Sequence, residues 1–470
     1  MIGALAALGL AGGAAAQGAP STAGLRPDQQ AFLGLYKELV ETDTTLSAGS
    51  CTLAAERMAA RLKAAGYADR DLTLFADPAH PKEGGLVAVL AGSDAALKPL
   101  LLLAHIDVVE AKRADWTRDP FTLIEEKGYY YARGSADDKA MAATFTDAMI
   151  RLKKAGRPPK RTVKLALTCG EETTYAFNGA DWLAKNRPEL IAAGFALNEG
   201  GGGRLNGAGE VASQSVQVGE KAVQNYRIEA MNAGGHSSVP IKDNAIYELA
   251  DALVRLRDHE FPIRLNDTTR AYFTAQGKAM GGEMGAAMQA IAANPQDAAA
   301  DRIVSADRAY HSMLRTTCVA TLLDGGHANN ALPQRAGANV NCRIIPGETV
   351  EGVRTAITAA IADPKMTVAV VPPIRPAAKA PPLDPKVIGP MEAVAKRYFP
   401  DIAIVPSMST GGTDGPFLGQ IGIPVYGVPG FAGNGGMDGV HGLNERIQVK
   451  ALYRGRDYLN ELVDVYAAGG

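Results

Sequence analysis

The sequence is poor in the features that settle a protein's class at a glance. Of 470 residues only two are tryptophan and four are cysteine, and aromatic side chains make up 6%. The cysteines, Cys51, Cys169, Cys318 and Cys342, form no Cys-x-x-Cys pair, which excludes a zinc ribbon and a thioredoxin-type motif. No charge of one sign prevails, since 48 Lys and Arg face 50 Asp and Glu for a net charge of -2. Without a basic field or an acidic run, nucleic acid is not an expected partner. No internal stretch is long and apolar enough to span a membrane. The run Gly200 to Gly203 lacks the Lys-Ser/Thr that a phosphate loop needs.

No charged residue occurs before Arg26. Residues 1–24 read as the apolar part of a secretory signal, with a small-residue cleavage site near Ala14-Ala15-Ala16. The usual positive n-region is missing, and a disordered Ala/Gly tail is the other reading. The first reading places the protein in the periplasm or outside the cell, the second in the cytoplasm.

The chain is organised around PLLLLAHIDVV, Pro99 to Val109. Four consecutive leucines read as a strand buried on both faces, the mark of a central parallel strand. His105 and Asp107 follow at once, at the carboxyl edge where open α/β sheets keep their sites. Strands are also expected over Leu86–Leu90, Val163–Thr168, Phe195–Leu197, Ile402–Val405 and Pro424–Val428. Helices are expected over Pro27–Val40, Leu53–Ala65, Ala140–Lys154, Lys386–Tyr398 and Val449–Val465. This alternation predicts an α/β fold with a mixed, mostly parallel sheet flanked by helices.

The pattern changes near Gly219, and residues 220–375 read as a separate α+β unit. They contain an Ala/Met-rich helical insertion over 262–309 and end in a Pro-rich return. The catalytic unit is then 25–219 plus 376–470. Cys318 and Cys342 lie in two strand-like runs that could face each other in one hairpin and pair in an oxidising compartment.

Acids recur at strand ends. Cys169-Gly170-Glu171-Glu172 follows one strand and Asn198-Glu199 another, and Asp137 leads into a helix. With His105 and His441, the acids Asp137, Glu172 and Glu199 make two imidazoles and three carboxylates, a set that suits two zinc ions with one carboxylate bridging. Glu171 stands beside a ligand and is placed to act as the general base.

Eight motifs in order carry a family resemblance: AHIDVV, YARGSADDKA, CGEE, LNEGG, AGGHSSVP, NALP followed by NCRIIPGE, STGGTDGPF and VHGLNERI. They resemble the co-catalytic zinc peptidases that include aminoacylase, carboxypeptidase S, glutamate carboxypeptidase, carnosinase and succinyl-diaminopimelate desuccinylase. The carboxypeptidase S branch is the most similar. The resemblance implies that Asp137 bridges two metals through a loop with a cis Asp137–Asp138 peptide. His105 and Glu199 would complete one metal, Glu172 and His441 the other, and Asp107 would orient His105. It implies that His236 stabilises the oxyanion, in dimeric relatives across the subunit interface. Asn330 and Arg343 would hold the substrate carboxylate, with Gly412 and Thr413 lining the same pocket. The inserted unit would be a ferredoxin-like lid that also dimerises. Two departures stand out: Ala140 replaces the usual glycine, and Asn198 stands where some relatives carry Asp.

The implied activity is hydrolysis of an amide next to a free-carboxylate amino acid, by an exopeptidase of carboxypeptidase or dipeptidase type. Zinc is the expected metal, with cobalt or manganese as substitutes. An N-acyl-amino-acid deacylase is the alternative enzyme, and an inactive exported peptide-binding protein the alternative from another class.

Overall fold

The strand Leu100–His105 is buried at every position. It is hydrogen-bonded in parallel on both sides, to Val163–Thr168 and to Phe195–Asn198. These belong to a ten-stranded mixed sheet in a computed structural model that describes residues 18–173, 177–434 and 438–470. Val425–Gly427 continues the parallel centre beside Phe195–Asn198. His80–Leu90 joins it antiparallel on the other flank. Strand polarity has a direct consequence: the carboxyl ends of Leu100–His105, Val163–Thr168 and Phe195–Asn198 all fall on one edge, and each is followed by an acid or imidazole.

Helices Pro27–Val40, Cys51–Ala64, Lys139–Lys154, Pro385–Tyr398 and Val449–Ala467 bury apolar faces in the main core beside the sheet. Helix Gly179–Asn186 covers the opposite face through Ala180, Leu183 and Ala184.

A second sheet is antiparallel and four-stranded, in the order Thr317–Gly325, Arg335–Ile344, Ala222–Met231, Met366–Val371. Helices Ala245–Asp258 and Val350–Ile361 pack on one face of it. With them the chain order is β-α-β-β-α-β, the ferredoxin-like arrangement the resemblance implied. The other face is polar: Asn341 and Asn339 both donate to Asn225 Oδ1, at 2.9 and 3.3 Å. Arg343 continues that row at the next alternate position. The Ala/Met-rich insertion forms four helices, Asp267–Met280, Gly282–Ala293, Ala298–Val304 and Arg308–Leu314, with a small core of their own. The first packs against Ile404–Ser409 and so ties the second unit to the main sheet.

Cys318 and Cys342 lie opposite one another in register and are disulfide-bonded. A second disulfide, Cys51–Cys169, was not foreseen, because 118 residues of sequence separate its halves. It joins the first residue of helix Cys51–Ala64 to the residue two before Glu171. The proposed cleavage site at residues 14–16 lies outside the described residues. From Gly18 onward the chain is attached to the body, Gly18 bridging to Glu125 and the Ser21 N–H donating to the Glu125 carboxylate at 2.7 Å. No helix among the described residues is long and apolar enough to cross a membrane.

Candidate active site

At the shared sheet edge the structure brings together His105, Asp137, Glu172, Glu199 and His441. Asp137 stands between the two imidazoles. Its Oδ1 lies 3.2 Å from His105 Nε2 and its Oδ2 lies 3.1 Å from His441 Nε2. Glu199 Oε1 is 3.7 Å from His105 Nε2, and Glu172 Oε1 is 2.9 Å from His441 Nε2. Beside a set His105–Glu171–Glu172, the five residues make two sets of three donors, His105–Asp137–Glu199 and Asp137–Glu172–His441, with all donor atoms of a set within 4.8 Å of one another. Asp137 is common to both. The Asp137–Asp138 peptide is cis, as the resemblance implied.

The tautomer of His105 follows from its partner. Nδ1 lies 3.1 Å from the main-chain carbonyl oxygen of Asp107, which can only accept, so Nδ1 carries the hydrogen and Nε2 is free to ligate. The Asp107 carboxylate lies farther off, 3.6 Å from the ring. It accepts instead from the N–H groups of Glu171 and Glu172, at 3.4 and 3.0 Å. Asp107 therefore aligns the ring and the acidic loop together, a wider task than orienting His105.

Among the described residues no Lys or Arg pairs with Asp137, Glu171, Glu172 or Glu199. Burial pushes the Glu171 carboxyl well above its ordinary range, helped by Asp414, Glu172 and Asp107, although His105 pulls the other way. Burial raises Glu199 in the same manner. Asp137 is held low despite its burial, by the two imidazoles of His105 and His441 that face it. Acids crowded out of water, with two imidazoles and no basic partner, are a donor set that fits divalent cations.

A cavity of about 420 Å³ opens beside the cluster. Glu171, Glu172, His441, Arg343, Gly412 and Thr413 are among the residues that line it. Arg343 is half-buried and meets no carboxylate or other hydrogen-bond partner among the described residues. At Gly412 a Cβ would approach only Val223, so space lies over its backbone. The Thr413 hydroxyl is already engaged, donating to Glu220 at 2.8 Å, and its N–H donates to the same carboxylate at 2.9 Å.

His236 and Asn330 are not brought to this cavity within one chain. Both are exposed on a small ribbon in which Gly235–His236 pairs with Ala331–Leu332. The Ser237 N–H donates to the Asn330 carbonyl at 3.0 Å, and His236 Nδ1 accepts from the Ser238 N–H at 3.1 Å.

Two supporting residues escaped the sequence reading. Asp414 accepts from Thr168 Oγ1 at 2.8 Å and Asn178 Nδ2 at 2.7 Å, bracing both ends of the Glu171 loop. The motif STGGTDGPF contains it, but nothing in the motif marks it as a brace. Glu220 holds Thr413 from the last position of a polar strand, Val211–Glu220, which carries no alternating signal.

Fold and cluster together define a metal-dependent hydrolase. The chain belongs to Peptidase family M20/M25/M40, whose model matches residues 101–465. It is 26% identical over 385 residues to a probable carboxypeptidase S-like protein of Dictyostelium discoideum, covering 80% of this chain and 72% of that one. It is 29% identical over 393 residues to the human N-fatty-acyl-amino acid synthase/hydrolase, covering 80% and 75%. Among solved structures, an M20 family metallo-carboxypeptidase from Sulfolobus solfataricus superposes with a TM-score of 0.70 at 18% identity, covering 93% of this chain and 99% of that one.

Proposed function

We propose that this chain hydrolyses an amide whose amine half is an amino acid with a free carboxylate, using two divalent metals, zinc in the first place. The observation that carries the reading is one cavity lined both by Arg343, which has no hydrogen-bond partner among the described residues, and by Glu171 with the Glu172–His441 pair. His105, Asp137 and Glu199 would hold one ion, and Asp137, Glu172 and His441 the other. Zinc bound there polarises a carbonyl and eases deprotonation of water.

The chain's own groups do the rest. Arg343 takes the substrate carboxylate through its planar fork, which sets the amide over the cluster. Glu171, not spent on a protein partner, removes the proton of the attacking water and returns it to the leaving amine.

Arg343→Met tests the anchor. A hydrogen-bonded charge pair contributes about 1.5–3 kcal/mol, so kcat/KM is expected to fall roughly 10- to 100-fold. Most of the loss should be in KM, with metal content unchanged. Equal turnover of substrates with free and amidated carboxylates would count against it.

A specific observation favours the N-acyl-amino-acid reading as the second one. An adjoining cavity of about 270 Å³, which shares Glu220 and Thr413 with the first and whose lining includes Ala378, Ala380, Pro382, Ile423 and Val425, reaches Glu199. Its apolar wall suits an uncharged acyl group better than a peptide's free ammonium, and one relative is named for such substrates. A panel of dipeptides and N-acyl amino acids separates the two.

The ribbon carrying His236 and Asn330 leads to a further part of the proposal. A second copy of the chain, associating through residues 220–375, would deliver His236 to the first copy's cavity as an oxyanion donor. Neither Glu171→Gln nor His236→Ala should then turn over substrate alone, whereas co-expressed together they should recover activity in mixed dimers. Full activity of His236→Ala alone would remove His236 from the mechanism.

A further inference from the structure

We propose that Glu445 is a positioning residue that locks the Asp137 and His441 loops together, and that the ion on the His441 side depends on it more than the ion on the His105 side. The proposal rests on the reading of these residues as metal ligands. Glu445 is fully buried, and its carboxylate is saturated by neighbours of Asp137. Oε1 accepts from the N–H of Ala136 at 2.9 Å and of Asp137 itself at 3.1 Å. Oε2 accepts from the N–H of Gly134 at 2.9 Å and from Arg133 Nη1 at 2.8 Å. The Glu445 main-chain carbonyl takes the N–H of Ala132 at 3.1 Å. The other arm of Arg133 donates to the Gly442 carbonyl, next to His441, at 2.7 Å.

One side chain thus fixes the backbone on which the shared carboxylate sits. Through Arg133 it also fixes the turn that presents the second imidazole. A carboxylate alone can do this, because both oxygens accept. A glutamine keeps the shape but turns one acceptor into a donor, which faces N–H groups it cannot satisfy.

The asymmetry follows from what else holds each histidine. His105 ends a strand paired on both sides, and its ring is set by Asp107. His441 lies on a turn at φ 58°, with its side chain 56% exposed. Beyond the clamp, its loop is tied to the Asp137 side by the short pairing of Arg446–Gln448 with Tyr129–Tyr131.

The test is metal retention by the full chain. Wild type is expected to keep two zinc ions through desalting. Glu445→Gln is expected to keep one, with affinity for the other lowered about 10- to 100-fold in competition against a chelator. The rise in melting temperature on adding zinc should shrink accordingly. Asn460→Ala is the control, since it removes a buried hydrogen bond to Asp147 between two helices, in neither loop, and should melt lower yet keep both ions. Two ions held with wild-type affinity by Glu445→Gln would overturn the proposal, however low its melting point. Equal loss of both ions would overturn the asymmetry. If Glu445→Gln yields no soluble chain, Arg133→Lys, which breaks the fork to Glu445 and Gly442, must show the same selective loss for the proposal to stand. A wild-type chain that binds no zinc after reconstitution refutes the ligand reading itself, an outcome distinct from the others.

Discussion

Glu171→Gln is expected to lower kcat by about 10²–10⁴-fold while both ions stay bound. The structural ground is the division of labour within one acidic pair. Glu172 Oε1 is committed to the His441 side at 2.9 Å, whereas the Glu171 carboxylate makes no hydrogen bond to protein among the described residues and lines the cavity. Both carboxylates come within 4.8 Å of His105, so the division rests on Glu172 being engaged by His441 while Glu171 is not. The Glu171 N–H is held by Asp107, which fixes the backbone without occupying the side chain. The loss should approach the upper end of the range, because one group makes both proton transfers. Glu172→Ala should behave differently and lose an ion. Zinc content and kcat measured on both variants decide the matter. Near wild-type kcat in Glu171→Gln would assign the proton transfers elsewhere and favour a binding role for the scaffold.

Asp137→Ala is expected to lose both ions and all measurable turnover. Each oxygen of Asp137 faces a different imidazole, so one substitution takes a donor from both sets. Replacing a residue that only orients a ligand costs about 10- to 100-fold in metal affinity, and removing a shared ligand exceeds that at two sites together. Two imidazoles and two carboxylates would remain, spread over separate loops. The melting temperature of the variant should be insensitive to added zinc. One tightly held ion per chain in Asp137→Ala would show the two sets to be independent and Asp137 to belong to only one of them.

Much of this was legible because it is written in strand ends. Four leucines force a fully buried strand, and a buried parallel strand must deliver its next polar residues to the carboxyl edge. His105, Glu172 and Glu199 therefore converge without any tertiary knowledge beyond strand direction. Their assignment to specific partners rested on motif order alone. The polar strand Val211–Glu220 was missed, because VASQSVQVGE has neither an apolar run nor clean alternation. Gly202–Leu205 is hidden among glycines for the same reason.

The tertiary braces were illegible for another cause. Asp107 to the Glu171 loop, Asp414 to Thr168 and Cys51 to Cys169 each join residues tens to hundreds of positions apart. No local periodicity records such a meeting. The Ala/Met-rich insertion showed no chemistry in sequence, and its first helix turns out to be a buttress against Ile404–Ser409.

The Cys51–Cys169 bond has a practical consequence at the bench. Cys169 lies two residues from Glu171 and three from Glu172. On the proposed metal reading, a thiol reagent and a chelator in one buffer would act on the same short loop by unrelated chemistries, one at its anchor and one at its cargo. Restoring the metal would reverse only the second injury. Preparations differing in additives would then disagree about the same molecule, and reoxidation before metal replacement is the order of repair that the arrangement dictates.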